Sequence, residues 1–177
     1  DGIAVARWLI EEGYTSPEKL GIYGGSAGGI FVGMAINERP ELFAAAVPAV
    51  PVMDMIRFEL DPNGLANIPE FGTVKNQQGF ESLLAMSSYH QLRSADYPAV
   101  MLVHGVNDTR VSVWQSIKYA NRLMHLSQSG RPVLMRLDYQ LGHGGGSTRR
   151  QQQEQTVDIW SFMLWQMGLP DFQPKSP

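Results

Sequence analysis

Gly24-Gly25-Ser26-Ala27-Gly28-Gly29 constrains this chain more than any other stretch. It follows the short apolar run Leu20-Gly21-Ile22-Tyr23 and precedes an apolar helical segment. A strand that enters a glycine-flanked serine and leaves as a helix has the G-x-S-x-G pattern of a nucleophile elbow. Such a turn lifts the Ser26 hydroxyl clear of a sheet and sets it at a helix N-terminus. Gly24 and Gly28 lie two positions either side of the serine, where a Cβ is expected to collide with the folded-back backbone. Taken alone, the same residues also fit a glycine-rich strand–helix turn without chemistry.

The rest of the chain alternates between the two hydrophobic periods. Asp1 to Glu12 predicts an amphipathic helix with Ile3, Ala6, Leu9 and Ile10 on one face, an Arg7–Glu11 pair on the other, and Gly13 as its stop. After the turn at Thr15-Ser16-Pro17-Glu18, a first strand is expected at about Lys19 to Tyr23. The helix from Gly28 to Ile36 is small or apolar all round and so should be deeply buried, ending before Pro40. Phe43 to Val50 reads as a second strand with Pro48 near its end. Pro51 to Gly79 is long and without clean periodicity, though Phe58 and Phe71 argue that it is ordered and functional. A short helix at Phe80 to Met86, a strand at Ala99 to Val103, a helix at Ser112 to Leu126, a strand at Val133 to Leu137 and a helix at Thr148 to Met167 follow. Strands alternating with helices imply an α/β fold of about four parallel strands flanked by helices.

Composition narrows the function. The 177 residues carry 14 basic and 17 acidic side chains, a formal charge of −3, and no Lys/Arg run, so nucleic acid is not an expected partner. No segment approaches the ~18 consecutive apolar residues of a membrane span, and no membrane partner is expected. With no cysteine there is no thiolate nucleophile or thiolate metal site. The four histidines show no ligand spacing, so neither a metal nor a cofactor is expected. The residues present include no charged-then-apolar leader, and they leave cytoplasm and periplasm equally open.

A serine hydroxyl needs a base, and the base needs an orienting acid. In a doubly wound sheet both should stand on loops leaving the carboxyl ends of later strands. His104-Gly105-Val106-Asn107-Asp108-Thr109-Arg110-Val111 follows the third strand, and Gly142-His143-Gly144-Gly145-Gly146 follows the fourth. Ser26, Asp108 and His143 thus occur in the order of an α/β-hydrolase triad. Asp108 also fits a simple Asx turn, and His143 a structural role. His90 and His125 fall away from strand ends, and His104 lies too close to Asp108 to occupy a separate base loop.

These three blocks resemble the catalytic blocks of the prolyl oligopeptidase family, as do Tyr14-Thr15-Ser16-Pro17-Glu18-Lys19-Leu20 and Val52-Met53-Asp54-Met55. The similarity runs from Asp1 to about Phe172. It implies a serine peptidase acting on short peptides through an acyl-enzyme. Ser26 would be the nucleophile, His143 the general base and acid, and Asp108 the group orienting His143. The Ala27 N–H would be an oxyanion donor. By the same resemblance Arg110 would hydrogen-bond a substrate carbonyl, although a surface ion pair also fits it. Asn67 falls near the place of the family's proline-stacking tryptophan, and Phe71 where a tyrosine is usual. An amide offers no such apolar platform, so the resemblance implies oligopeptidase or acyl-peptide specificity broader than proline. Glu70 fits either selection of a basic side chain or a solvated loop carboxylate.

The family also carries an N-terminal β-propeller, a complete eight-stranded sheet and a tyrosine as second oxyanion donor. Residues 1–172 are therefore expected to form a partial hydrolase domain and 173–177 a frayed tail, the whole being part of a larger enzyme. Loss of one oxyanion donor costs about 2.7–4 kcal/mol of barrier. The strand at Leu20 to Tyr23 would present an unpaired apolar edge, expected to pair with another copy or with an N-terminal fragment. Two rival functions share the same residues: a carboxylesterase-like hydrolase, and an inert fragment that assembles through that edge.

Overall fold

The computed structural model describes residues 1–144 and 148–174. Gly145 and Gly146 of the histidine loop, and the tail from Lys175, lie outside the described residues. Four strands form one sheet in the order β1 (Gly21–Gly25), β2 (Ala45–Ala49), β3 (Ala99–Gly105) and β4 (Val133–Asp138), all parallel. Helices α1 (Gly2–Glu11), α2 (Gly28–Glu38), α3 (Ile68–Phe71), α4 (Gln77–Met86), α5 (Ser88–Gln91), α6 (Trp114–Leu126) and α7 (Arg149–Gln166) complete the described fold.

Alternation along β2 and β3 sorts their side chains to two faces. Ala46, Val100 and Leu102 pack with Val32, Ala35 and Ile36 of α2 and with Tyr119, Ala120 and Leu123 of α6. Ala45, Val47, Ala99, Met101 and Val103 pack instead with Ile159, Phe162 and Met163 of α7. Covering both faces is why these strands read as continuous apolar runs. Pro48 is the penultimate residue of β2, paired in register with Gly24.

Some boundaries move. β1 starts at Gly21 because Pro17–Lys19 forms a 3-10 turn. α4 begins at Gln77 rather than Phe80, since the Asn76 side chain accepts the Gly79 N–H at 2.8 Å and caps the helix. The 51–79 stretch is ordered over its own apolar cluster of Val52, Met55, Phe58, Leu83 and Val111. The α2 glycines answer to more than the sheet: a Cβ on Gly33 would meet Ser88 Cβ of α5 at 2.6 Å.

The register places Gly25 beside Ala49, and Gly105 beside Asp138, at the same end of the sheet. Chain segments leaving β1, β3 and β4 therefore emerge together, which is what a parallel sheet does with carboxyl ends. β1 lies at the sheet edge, with Tyr23 57 % exposed.

Candidate active site

Ser26 sits between β1 and α2 with φ +56°, one of two non-glycine residues with positive φ among those described. That conformation costs a side-chain-bearing residue about 1 kcal/mol or more and needs surrounding structure to hold it. The Ser26 N–H donates to Ala49 O at 2.9 Å, and its carbonyl accepts the Gly29 N–H at 2.9 Å and the Val52 N–H at 3.3 Å. The elbow is thus pinned to the end of β2. A Cβ on Gly24 would lie 2.5 Å from Gly28 O, as expected of a folded-back turn. The expectation for Gly28 is corrected, because a Cβ there meets nothing within 4 Å. The crowded partner is Gly29, whose Cβ would lie 2.7 Å from Pro51 Cα. Helical rotation turns Gly29, not Gly28, onto the chain leaving β2.

Asp108 occupies the turn after β3 and uses its two oxygens differently. Oδ1 accepts the backbone N–H groups of Arg110 at 2.8 Å and Val111 at 2.9 Å, an Asx-type turn. Oδ2 lies 2.7 Å from His143 Nδ1, whose ring reaches Ser26 Oγ through Nε2 at 2.9 Å. The turn contacts and the contact to His143 fall on different oxygens. An ionised carboxylate only accepts, so His143 carries its proton on Nδ1 and offers the Nε2 lone pair to the Ser26 hydroxyl. The loops after β3 and β4 are tied by Asn107, whose N–H donates to Leu141 O at 3.1 Å and whose Nδ2 donates to Tyr139 O at 2.8 Å.

Burial pushes the Asp108 carboxyl up, but the hydrogen-bond donors around it prevail and hold it down at about 2. They are His104, the Val111 and Arg110 N–H groups, and His143. A carboxyl depressed from 3.8 to about 2 contributes about 2 kcal/mol of stability, fully present above pH 3.8. That contribution is lost as pH falls through about 2. Asp108→Asn should flatten this part of the acid-denaturation curve, and an unchanged slope between those two pH values would refute the assignment.

The other predicted positions converge beside Ser26. Ala27, Asn67, Phe71 and Arg110 line one cleft of about 110 Å³ together with Asn63 and Glu70. The Arg110 guanidinium is exposed and makes no ion pair among the described residues, so the surface-pair alternative is not realised. The Ala27 N–H, at the start of α2, enters no backbone hydrogen bond among the described residues. Sequence reasoning passed over Asp61 and Gln115, and weighed His104 only as a base. His104 is fully buried behind Asp108, while Gln115 accepts the Met53 and Asp54 N–H groups and donates to Asp61. The signal was faint: a polar side chain amid apolar ones on a buried strand or helix face.

The family model of the prolyl oligopeptidase family matches residues 1–170. The chain belongs to the prolyl oligopeptidase family. Its curated relatives include a prolyl endopeptidase of Dictyostelium discoideum, 37 % identical over 168 residues, covering 92 % of this chain and 22 % of that protein. Dipeptidyl aminopeptidase BI of Pseudoxanthomonas mexicana is 33 % identical over 172 residues, covering 96 % of this chain and 24 % of that protein. A solved prolyl endopeptidase superposes with TM-score 0.90 at 37 % identity, covering 96 % of this chain and 25 % of that one. Oligopeptidase B from Leishmania major gives 0.89 at 27 % identity, over 93 % and 23 %. The chain thus spans about a quarter of the length of these prolyl oligopeptidase family relatives. The four-stranded parallel sheet with its helices is part of their α/β-hydrolase fold.

Proposed function

We propose that this chain carries the reaction centre of a serine peptidase that cleaves short peptides. The observation that carries the reading is the unbroken hydrogen-bonded run from Ser26 Oγ through His143 to Asp108 Oδ2, at 2.9 and 2.7 Å. Ser26 attacks the scissile carbonyl while His143 Nε2 takes its proton. The carbonyl oxygen becomes an oxyanion facing the Ala27 N–H. His143 then returns the proton to the leaving amine, leaving an acyl group on Ser26, and water activated by the same ring releases it. Asp108 keeps the Nδ1–H tautomer and supports the imidazolium. Arg110 donates to a substrate carbonyl, with Asn67 and Phe71 as further walls of the cleft that Ser26 also lines.

A fluorophosphonate probe is expected to label Ser26, at least in the larger enzyme that carries the second oxyanion donor, and Ser26→Ala should abolish labelling without changing the circular dichroism spectrum. Undiminished labelling of the variant, or an unlabelled larger enzyme, overturns the reading. Turnover of peptide amides against simple esters then separates peptidase from esterase chemistry.

The β1 edge belongs to the same proposal. Tyr23 is exposed there beside Trp160 of α7, 56 % exposed, and both line a largely apolar cleft with Ile159 and Met163. An open apolar edge invites another strand, and we propose that a second copy or an N-terminal fragment supplies it. Light scattering should report a species larger than one chain. A stable monomer whose slowly exchanging amides exclude β1 would count against it.

A further inference from the structure

His104, the penultimate residue of β3, is fully buried and has no part in the reaction as described above. Its Nε2 lies 2.9 Å from Val111 O. A carbonyl only accepts, so Nε2 carries the proton. In the neutral ring Nδ1 is then an acceptor, and the buried Ser116 hydroxyl of α6, 2.7 Å away, is its donor. The same Nε2–H edge stands 3.4 Å from Asp108 Oδ2, the oxygen that receives the His143 Nδ1–H. One carboxylate oxygen therefore has two imidazole N–H groups near it, that of His143 at 2.7 Å and, more distant, that of His104 at 3.4 Å.

We propose that His104 is a positioning residue: locked by Ser116 as its Nε2–H tautomer, it shares the charge of Asp108 Oδ2 with His143 and so limits how tightly Asp108 holds the His143 ring. This rests on the reading of Ser26, Asp108 and His143 as the reaction centre. A carboxylate that gives all its charge to one imidazole favours the protonated ring, which cannot accept a proton from Ser26. A second N–H against the same oxygen draws off part of that charge and keeps His143 available as a base. The Val111 contact does a second job, closing the 105–111 turn so that Asp108 cannot swing from its place. Asp108 is the charged group against His104 from its own loop, and Arg110, two residues on, is exposed. From α6 come the neutral Ser116 and Gln115, with Asp61 beyond Gln115, and from β4 Leu137 lies alongside in register.

The decisive comparison is His104→Leu, which removes the N–H, against His104→Gln, which can return one near the position of Nε2. In His104→Leu the His143 Nδ1 proton resonance should move downfield. The acid limb of Ser26 labelling by a fluorophosphonate should move up by about half to one pH unit. His104→Gln should bring both back toward wild type. If His104→Leu does not fold, Ser116→Ala replaces it; by releasing the tautomer it should shift both readouts in the same direction by a smaller amount. A purely structural role would lower stability or the labelling plateau and leave the resonance and the acid limb in place, and that result overturns the proposal. Failure of the reaction-centre reading looks different: Ser26 of the wild type stays unlabelled, while the His143 proton still reports whether His104 acts on Asp108.

Discussion

Asp108→Asn is expected to slow fluorophosphonate labelling of Ser26 by about four orders of magnitude while leaving the fold in place. The size of the effect follows from which oxygen is replaced. Oδ1 accepts two backbone N–H groups, from Arg110 and Val111, and those donors require an oxygen at that position. The amide of the variant must therefore put its NH2 where Oδ2 was, 2.7 Å from His143 Nδ1. Facing a donor, Nδ1 becomes the acceptor and the ring proton moves to Nε2, which then points a hydrogen at Ser26 Oγ instead of a lone pair. Ser26 keeps its place and loses its base. Labelling rate measured beside a thermal melt separates the two effects. A loss of only about tenfold would mean that Asp108 serves the turn and not the histidine.

Gly105→Ala should be the most damaging of the glycine substitutions around the site. Gly105 ends β3 and is buried. A Cβ there would run into the carbonyl oxygens of Leu141 and Gly142 and come within 2.6 Å of the Leu141 carbonyl carbon. These are backbone atoms, which cannot rotate away as a side chain does, and they immediately precede His143. The loop after β4 must move, and His143 must move with it. Expected outcomes are a destabilisation of about 3 kcal/mol by chemical denaturation and a labelling rate about 10²-fold lower, since reaction geometry tolerates little displacement. The contrast is Gly28→Ala, two residues from Ser26 yet with open space around its Cβ position. Helix propensity alone predicts stability unchanged or raised by up to about 1 kcal/mol there. Equal tolerance at both positions would overturn the steric account.

Element types were legible because they are locally encoded. The continuous apolar runs of β2 and β3, the amphipathic α1 with its Arg7–Glu11 pair at 3.6 Å, and Gly13 at φ +74° each depend on residues a few positions apart. The chain order of Ser26, Asp108 and His143 was legible too, since parallel strands bring their carboxyl ends to one side and each residue follows its own strand. What local pattern does not encode is which atom meets which across the loops. That Gly29 and not Gly28 touches Pro51 depends on how α2 is rotated over β2. That the 51–79 stretch brings Asn67 and Phe71 to Arg110 depends on anchors such as Gln115 and Asp61, more than fifty residues apart in sequence.

The sequence by itself determined the α/β class, the family resemblance and the order of Ser26, Asp108 and His143 after their strands, because strand, turn and glycine signals act over a few neighbouring positions. Only the tertiary structure decided the division of labour at Asp108, with Oδ1 closing its turn and Oδ2 facing His143. It also placed His104, excluded as a base by its position in the chain, behind that same oxygen. Those roles depend on contacts between segments brought together by the sheet, where distance in space no longer follows distance along the chain.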